Sequence, residues 1–287
     1  MALPVKPHRA QVRSYKKSSA GGCIYSRLIH RLIRMPEPLP LSGVVITKNE
    51  GDRIGRCLAS MLAVCTEVIV LDSGSSDDTV AIARELGARV EHQPWRGFAS
   101  QKNAAIALAT QPWVLLLDAD EWLEPPAQRT VRDLFAGEIE QADVWLLLRC
   151  TRFLGHRLRA GSFAREPIQR LFRARHRHVL QPVHEYLDLT NSRVRLSDIV
   201  LEHDTARSAG EYWEKLQGYA RLWAAEQRQR GRTAWPGRGV LAATAYLLKN
   251  VVVRGGFIDG VQGLRFHWLH ARYAKLKYDL LRCVDKS

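Results

Sequence analysis

The sequence predicts an α/β protein: a mainly parallel sheet flanked by helices, with a C-terminal helical region after it. Three observations predict this. Short apolar runs alternate with helical patterns between residues 41 and 124. The runs are continuously apolar rather than alternating, which marks strands buried on both faces. From Ser208 onward the apolar residues recur at helical spacing.

Taken in order, Val44-Val45-Ile46 is the first strand and ends at Thr47-Lys48-Asn49-Glu50. A helix follows, with Ile54, Cys57, Leu58, Met61 and Leu62 on one face. Val68 to Leu71 is the second strand, stopped by Asp72-Ser73-Gly74. Ser76 is placed to cap the next helix, Asp77 and Asp78 suit the positive end of its dipole, and Gly87 terminates it. A third strand near Ala88 to His92 leads through Pro94-Trp95-Arg96-Gly97 to a helix from Phe98 to Ala109. The fourth, Trp113 to Leu117, runs straight into Asp118-Ala119-Asp120. After Leu123 the periodicity weakens, with Val144 to Leu148 reading as one more strand. Tyr212, Trp213, Leu216, Tyr219, Ala220 and Trp223 then form an apolar stripe. The last segment mixes Phe257, Ile258, Leu264, Trp268 and Leu269 with Arg265, Arg272, Lys275 and Lys277.

The 287 residues therefore divide into a basic arm (1–40), an α/β domain (41–205) and a helical region (206–287). The arm carries Lys6, Arg9, Arg13, Lys16, Lys17, Arg27, Arg31 and Arg34 against a single acid, Glu37. A net charge of +14 implies an anionic partner. A nucleic acid is disfavoured, because that reading leaves the acidic Asp72 and Asp118-x-Asp120 unexplained and no RNP, KH or zinc-finger pattern accompanies it. The cysteines, Cys23, Cys57, Cys65, Cys150 and Cys283, are scattered, odd in number and without metal spacing, so free and mostly buried thiols are expected. The N-terminal segment has no apolar core of signal-peptide length, and secretion is not expected. The longest apolar stretch, Gly239 to Val253, is interrupted by Lys249 and Asn250 and is too short to span a bilayer.

Open sheets of this kind bind ligands beyond the carboxyl ends of their strands. Thr47, Asn49, Glu50, Asp72, Asp118 and Asp120 all fall at that edge. Two carboxylates one residue apart repel each other unless a cation lies between them. Oxygen ligands suit Mg²⁺ or Mn²⁺, which bridges the phosphates of a nucleotide sugar. Asp72 is placed to accept from a base N–H, and Lys102 and Asn103 offer a cation and an amide toward phosphate. Neither a GxxxxGK[ST] loop nor a GxGxxG after the first strand is present, which disfavours P-loop and dinucleotide chemistry. His176, His178 and His184 lack a fourth ligand for zinc and alternate with Arg173, Arg175 and Arg177. That stretch, with Arg165 and Arg170, is better suited to a phosphorylated acceptor.

Val44-Val45-Ile46-Thr47-Lys48-Asn49-Glu50, Val70-Leu71-Asp72-Ser73-Gly74-Ser75-Ser76-Asp77-Asp78-Thr79 and Leu117-Asp118-Ala119-Asp120-Glu121 resemble the successive motifs of family 2 glycosyltransferases. Arg152-Phe153-Leu154-Gly155, Arg170-Leu171-Phe172, Val183-His184-Glu185 and Gly256-Phe257-Ile258-Asp259-Gly260 resemble, more loosely, the subgroup that adds sugars to the lipopolysaccharide inner core of Gram-negative bacteria. The resemblance implies a GT-A fold over residues 41–205 and an inverting, metal-dependent transfer of a hexose, with glucose expected. The donor implied is a nucleotide-diphosphate sugar, of UDP type, and the acceptor a lipopolysaccharide-core or related glycolipid. Transfer to polyprenyl phosphate or into an exopolysaccharide repeat is the alternative.

In this reading Asp72 reads the base, Asp118 and Asp120 hold metal and diphosphate, and Arg152 and Arg170 meet the acceptor. Glu185 is the candidate base, with His184 beside it as a metal or phosphate contact, and Glu121 and Glu166 are in reserve. The chain departs from the subgroup at Arg165-Glu166-Pro167, where an aromatic-rich stretch is expected. The location implied is the cytoplasmic, inner face of the bacterial inner membrane, held peripherally. There the basic arm and Trp235, Tyr246, Phe257, Phe266, Trp268 and Tyr273 meet an anionic leaflet.

Overall fold

The computed structural model describes residues 37–180 and 186–282. The chain divides into a unit Met1–Glu37 and a unit Pro38–Ser287, and the strands and helices of the described residues all belong to the second. The first strands are the continuously apolar runs of the sequence: β1 (Leu39–Thr47), β2 (Cys65–Asp72), β3 (Arg89–His92) and β4 (Trp113–Asp118). They alternate with α1 (Ile54–Leu62), α2 (Thr79–Glu85) and α3 (Phe98–Ala107). Strand β1 pairs in parallel with β2 on one side and β4 on the other, and β2 pairs in parallel with β3.

Each strand feeds two cores. Val45, Val70, Leu115 and Leu117 pack with α1, while Val44, Leu71, Val114 and Leu116 pack with Ile106 of α3 on the opposite face. This is why the runs contain no polar alternation: a polar residue at either parity would be buried without water.

After β4 come the short β5 (Glu121–Trp122) and α4 (Pro125–Gly137), then β6 (Val144–Phe153), β7 (His156–Arg157), β8 (Glu166–Arg173) and β9 (Val194–Asp204). The sheet order is β3-β2-β1-β4-β8-β6-β9-β5, with β7 on β6. Strand β8 runs antiparallel to both β4 and β6, so the parallel half continues into a mixed half.

The helical region is α5 (Ala209–Gln229), α6 (Arg238–Leu247), a π-helical turn Leu248–Val253, a 3₁₀ turn Gly256–Asp259 and α7 (Gly260–Arg282). Ser208 and Glu211 start α5 in capping-box spacing, with Ser208 Oγ accepting from the Glu211 N–H at 3.1 Å. Phe153, Tyr212, Leu216, Phe266 and Leu269 form a third core that seats α5 and α7 on β6. Of the aromatics assigned to a membrane surface, Phe266 is thus a core residue, whereas Trp235, Phe257 and Trp268 are exposed. Cys57, Cys65 and Cys150 are free and buried.

The start of α2 differs from expectation. Ser76 lies short of the helix, its N–H donating to Asn49 Oδ1 at 2.8 Å. The first helical N–H, that of Thr79, is met by Asp77 Oδ1 at 3.1 Å.

Candidate active site

Register brings the site together. Thr47 lies beside Asp72 in the β1–β2 ladder, and Ile46 lies beside Asp118 in the β1–β4 ladder. The carboxyl ends of three adjacent strands therefore bring Thr47, Asp72 and Asp118 to one edge of the sheet, Asp118 one residue short of the other two in register. The crevice sits where the strand order turns back on β1, the place open α/β sheets use for ligands.

Asp118 is held by cations from two elements. Arg170 on β8 hydrogen-bonds its carboxylate, and Lys102 Nζ on α3 is 3.5 Å away. Burial pushes the Asp118 carboxyl up, but Arg170 and Lys102 outweigh it and hold the group well below the usual carboxylate range. Arg170 also reaches Glu121 Oε1 at 2.8 Å, and Glu121 Oε2 accepts from the Asp118 N–H at 3.1 Å. Glu121 is fully buried and further paired with Arg149 at 3.6 Å. A carboxylate so committed shapes the turn and is removed from the reserve of bases.

Asp120 faces His203 and Arg53: Oδ2 is 3.4 Å from His203 Nε2 and 3.6 Å from Arg53 Nη1. Burial again works against ionisation, and His203 tips the balance toward the charged form. Both carboxylates thus already have basic partners from the chain itself. The residue types, hard carboxylates with an imidazole, fit Mg²⁺ or Mn²⁺. Among the described residues no cluster of three or more His, Cys, Asp or Glu is gathered to hold a cation by itself. A metal held here would need part of its shell from phosphate or water, as Mg²⁺ commonly does.

The other end of the crevice is lined by Thr47 and Asp72. Thr47 Oγ1 is buried and has no hydrogen-bond partner among the described residues, which a ligand would supply. Asp72 Oδ2 accepts from the N–H groups of Gly74 (2.8 Å) and Ser75 (3.0 Å), and Oδ1 from Ser75 Oγ (2.5 Å). Burial raises this carboxyl, yet the bonds from Ser75 and Gly74 bring it below its ordinary value. Asn49, at φ 57°, straps the β1 loop to the β2 loop through Ser75 and Ser76. Burial pushes the Glu50 carboxyl up against the pull of Arg207, whose Nη2 is 2.8 Å away. Beside Asp120 a polar cleft of about 570 Å³ opens, lined by Arg53, Arg56, Arg207, Asp204 and Gly155.

Residues 42–138 match the family model described as Glycosyl transferase family 2. These residues form a family 2 glycosyl transferase domain. An uncharacterized glycosyltransferase of Rickettsia conorii is 42% identical over 117 residues, 41% of each chain. The chain thus spans about two fifths of the length of that relative. The lipopolysaccharide core biosynthesis glycosyltransferase LpsC of Rhizobium meliloti is 28% identical over 247 residues, 81% of this chain and 91% of LpsC. A crystal structure of glucosyl-3-phosphoglycerate synthase from Mycobacterium tuberculosis, in complex with Mn²⁺, UDP and glucosyl-3-phosphoglycerate, is 28% identical with a TM-score of 0.32. It covers 39% of this chain and 44% of that one.

Within this glycosyl transferase domain and the strands that complete its sheet, several expected residues have other work. Asn103 gives both ends of its amide to the backbone of His178, at 2.8 and 2.7 Å, and so anchors the loop after β8 instead of facing phosphate. Arg170 lies buried behind Asp118 and Glu121, and Arg152 pairs with the buried Glu202 at 2.6 Å. Buried carboxylates require such partners, and this draws both arginines away from the acceptor contacts assigned to them. His176 is buried with Nδ1 on the Asp188 carbonyl at 3.1 Å, a packing role. His184 and Glu185 lie outside the described residues.

His203 is the residue sequence reasoning missed. Its signal was present: Ile199-Val200-Leu201 runs into Glu202-His203-Asp204 as Leu115-Leu116-Leu117 runs into Asp118. Strand β9 then pairs His203 with Glu121, directly after the two aspartates.

Proposed function

We propose that this chain transfers a hexose, with inversion, from a UDP-type nucleotide sugar to a lipopolysaccharide-core or related glycolipid acceptor. The single observation that carries the reading is the convergence of Thr47, Asp72 and Asp118 at adjacent strand ends, with Asp120 beside them. The nucleoside lies against Thr47 and Asp72, and the diphosphate lies over Lys102 and Asp118. Asp118 and Asp120 would hold a divalent cation, which would supply neutralisation of the leaving diphosphate. The acceptor saccharide enters the cleft beside Arg53, where Leu154-Gly155 and Arg207 border it.

In the transfer, the acceptor oxygen bonds to C1 as the bond from C1 to the phosphate oxygen breaks. The hydroxyl proton passes to a carboxylate, and the nucleoside diphosphate leaves. Glu185 is assigned that base; Glu166, bonded to Arg149 at the rim, is the described alternative. Likeness to LpsC over most of both chains supports a core-type acceptor. Such an acceptor places the enzyme peripherally on the cytoplasmic face of the inner membrane.

The test is a screen of UDP-, GDP- and dTDP-sugars with Mn²⁺ or Mg²⁺, reading donor hydrolysis and transfer to extracted core glycolipid. Turnover of a UDP-hexose supports the reading; indifference to every donor and both metals removes it.

A further inference from the structure

We infer that the corner between α6 and α7 is a membrane wedge: an apolar knuckle, tipped by Phe257 and Ile258, that enters the headgroup–acyl boundary of an anionic leaflet. The inference rests on the proposed function only for its purpose, which is to hold the enzyme beside a lipid-linked acceptor.

The corner is folded inside out relative to a turn that faces water. Two of its polar side chains, Asn250 and Asp259, point inward. Asp259 accepts the N–H groups of Arg159 (2.8 Å) and Ala160 (3.1 Å), and Asn250 Oδ1 accepts the Ser162 N–H at 3.2 Å. Its apolar side chains point outward: Val253 is 75% exposed, Val261 71% and Ile258 67%, with Leu248, Val252, Phe257 and Trp268 exposed around them. Single exposed apolar residues are ordinary, but a contiguous group at one corner is not. Between α6 and α7 the same face carries a groove of about 510 Å³, apolar except for Thr244 and floored by Leu247, Val251 and Leu264.

The backbone is built to hold this arrangement. A Cβ on Gly256 would meet the Asn250 carbonyl oxygen and His267 Nε2, each at 2.5 Å, and one on Gly263 would meet Asp259 Cβ at 2.3 Å. The Gly-Phe-Ile-Asp-Gly motif thus has a physical account: its first glycine permits close packing, its aspartate ties the turn to the β7–β8 loop, and its two apolar residues are displayed.

Charge identifies the occupant. From Gly231 to Tyr278 the sequence contains one acid, the buried Asp259. Lys249, Arg254 and Arg265 stand exposed around the knuckle. A cationic rim about an apolar tip complements anionic lipid, and it repels a second copy of itself. No helix among the described residues is long and apolar enough to cross a membrane alone, and the two helical segments at this corner meet at 79°. Shallow entry by the bend matches that geometry. Through Phe266, which packs on Phe153 of β6 at 5.4 Å between ring centroids, the wedge is fixed to the catalytic sheet.

The experiment is flotation of the full chain with vesicles of phosphatidylcholine plus phosphatidylglycerol, against vesicles of phosphatidylcholine alone. Wild type floats with the anionic vesicles and less so in high salt. The double variant Phe257→Ser/Ile258→Ser partitions at least about tenfold more weakly, and Arg254→Gln or Arg265→Gln about fivefold more weakly each. All unfold at the wild-type midpoint and bind UDP unchanged. The inference is overturned if the folded double variant floats like wild type, if wild type does not float, or if the variant instead abolishes a dimer seen by light scattering. UDP binding without flotation defeats the wedge alone, whereas flotation without binding of any nucleotide defeats only the proposed function.

Discussion

Asp118 and Asp120 are half-buried carboxylates whose neighbours favour the charged form. Removing either charge leaves Arg170, Lys102 or Arg53 short of a partner. Asp118→Asn and Asp120→Asn keep side-chain size at the end of a strand rather than in the core, so they should abolish transfer while the protein still folds, and EDTA should do the same to wild type; full activity of both variants in EDTA would remove the metal from the mechanism. With Asp72 assigned to the nucleoside in the proposed function, Asp72→Ala should raise KM for donor more than it lowers kcat. Because Asp72 also organises its own loop through Ser75 and Gly74, a donor KM left at the wild-type value would count doubly against the assignment. Glu185→Gln should keep donor affinity and slow transfer roughly 10²–10⁴-fold. If instead Glu166→Gln is the inactive variant, the proton goes there.

At the scale of elements, the parallel strands were legible because each is buried on two faces and contains almost nothing polar. Strands β8 and β9 were not. Glu-Pro-Ile-Gln-Arg-Leu-Phe-Arg (166–173) places Arg170 in a strand because that guanidinium must reach Asp118 and Glu121. Val194 to Asp198 is mostly exposed, and only the stretch from Ile199 to Glu202 is largely buried. Site residues such as Asp72 and Asp118 were legible as polar stops to apolar runs; the partners of Arg152, Arg170 and Asn103 depend on distant strands and loops, which no local pattern records.

The helical region offers an element-scale test. His270 on α7 meets the Tyr212 hydroxyl of α5 at 2.7 Å, and burial, then His267 and Lys277, pushes its pKa down to about 3. The unfolded chain takes up that proton near 6.5, the native state only near 3, so this group's contribution is present above 6.5 and is lost as pH falls between those values. Denaturant titrations from about pH 7 to about pH 4 should show stability falling in wild type and falling less in His270→Phe, which keeps a ring in the stack with Phe266 and Tyr246. Equal slopes would show that the site does not govern acid sensitivity.

For the molecule as a whole, the central claim is that one crevice at the carboxyl edge binds a nucleoside diphosphate through a metal. Basic side chains converge on that crevice from several directions: Lys102 from α3, Arg170 from β8 and Arg53 before α1, with the His203 imidazole from β9 beside them. Such convergence from elements far apart in sequence is a property of the assembled sheet. Calorimetric titration of the full chain with UDP tests it most directly, in Mn²⁺ and again in EDTA. Saturable binding is expected in Mn²⁺, weakening at least about tenfold on chelation and in the Asp118→Asn/Asp120→Asn variant. Binding of equal strength under all three conditions, or none of UDP, GDP and dTDP in the presence of metal, would contradict it.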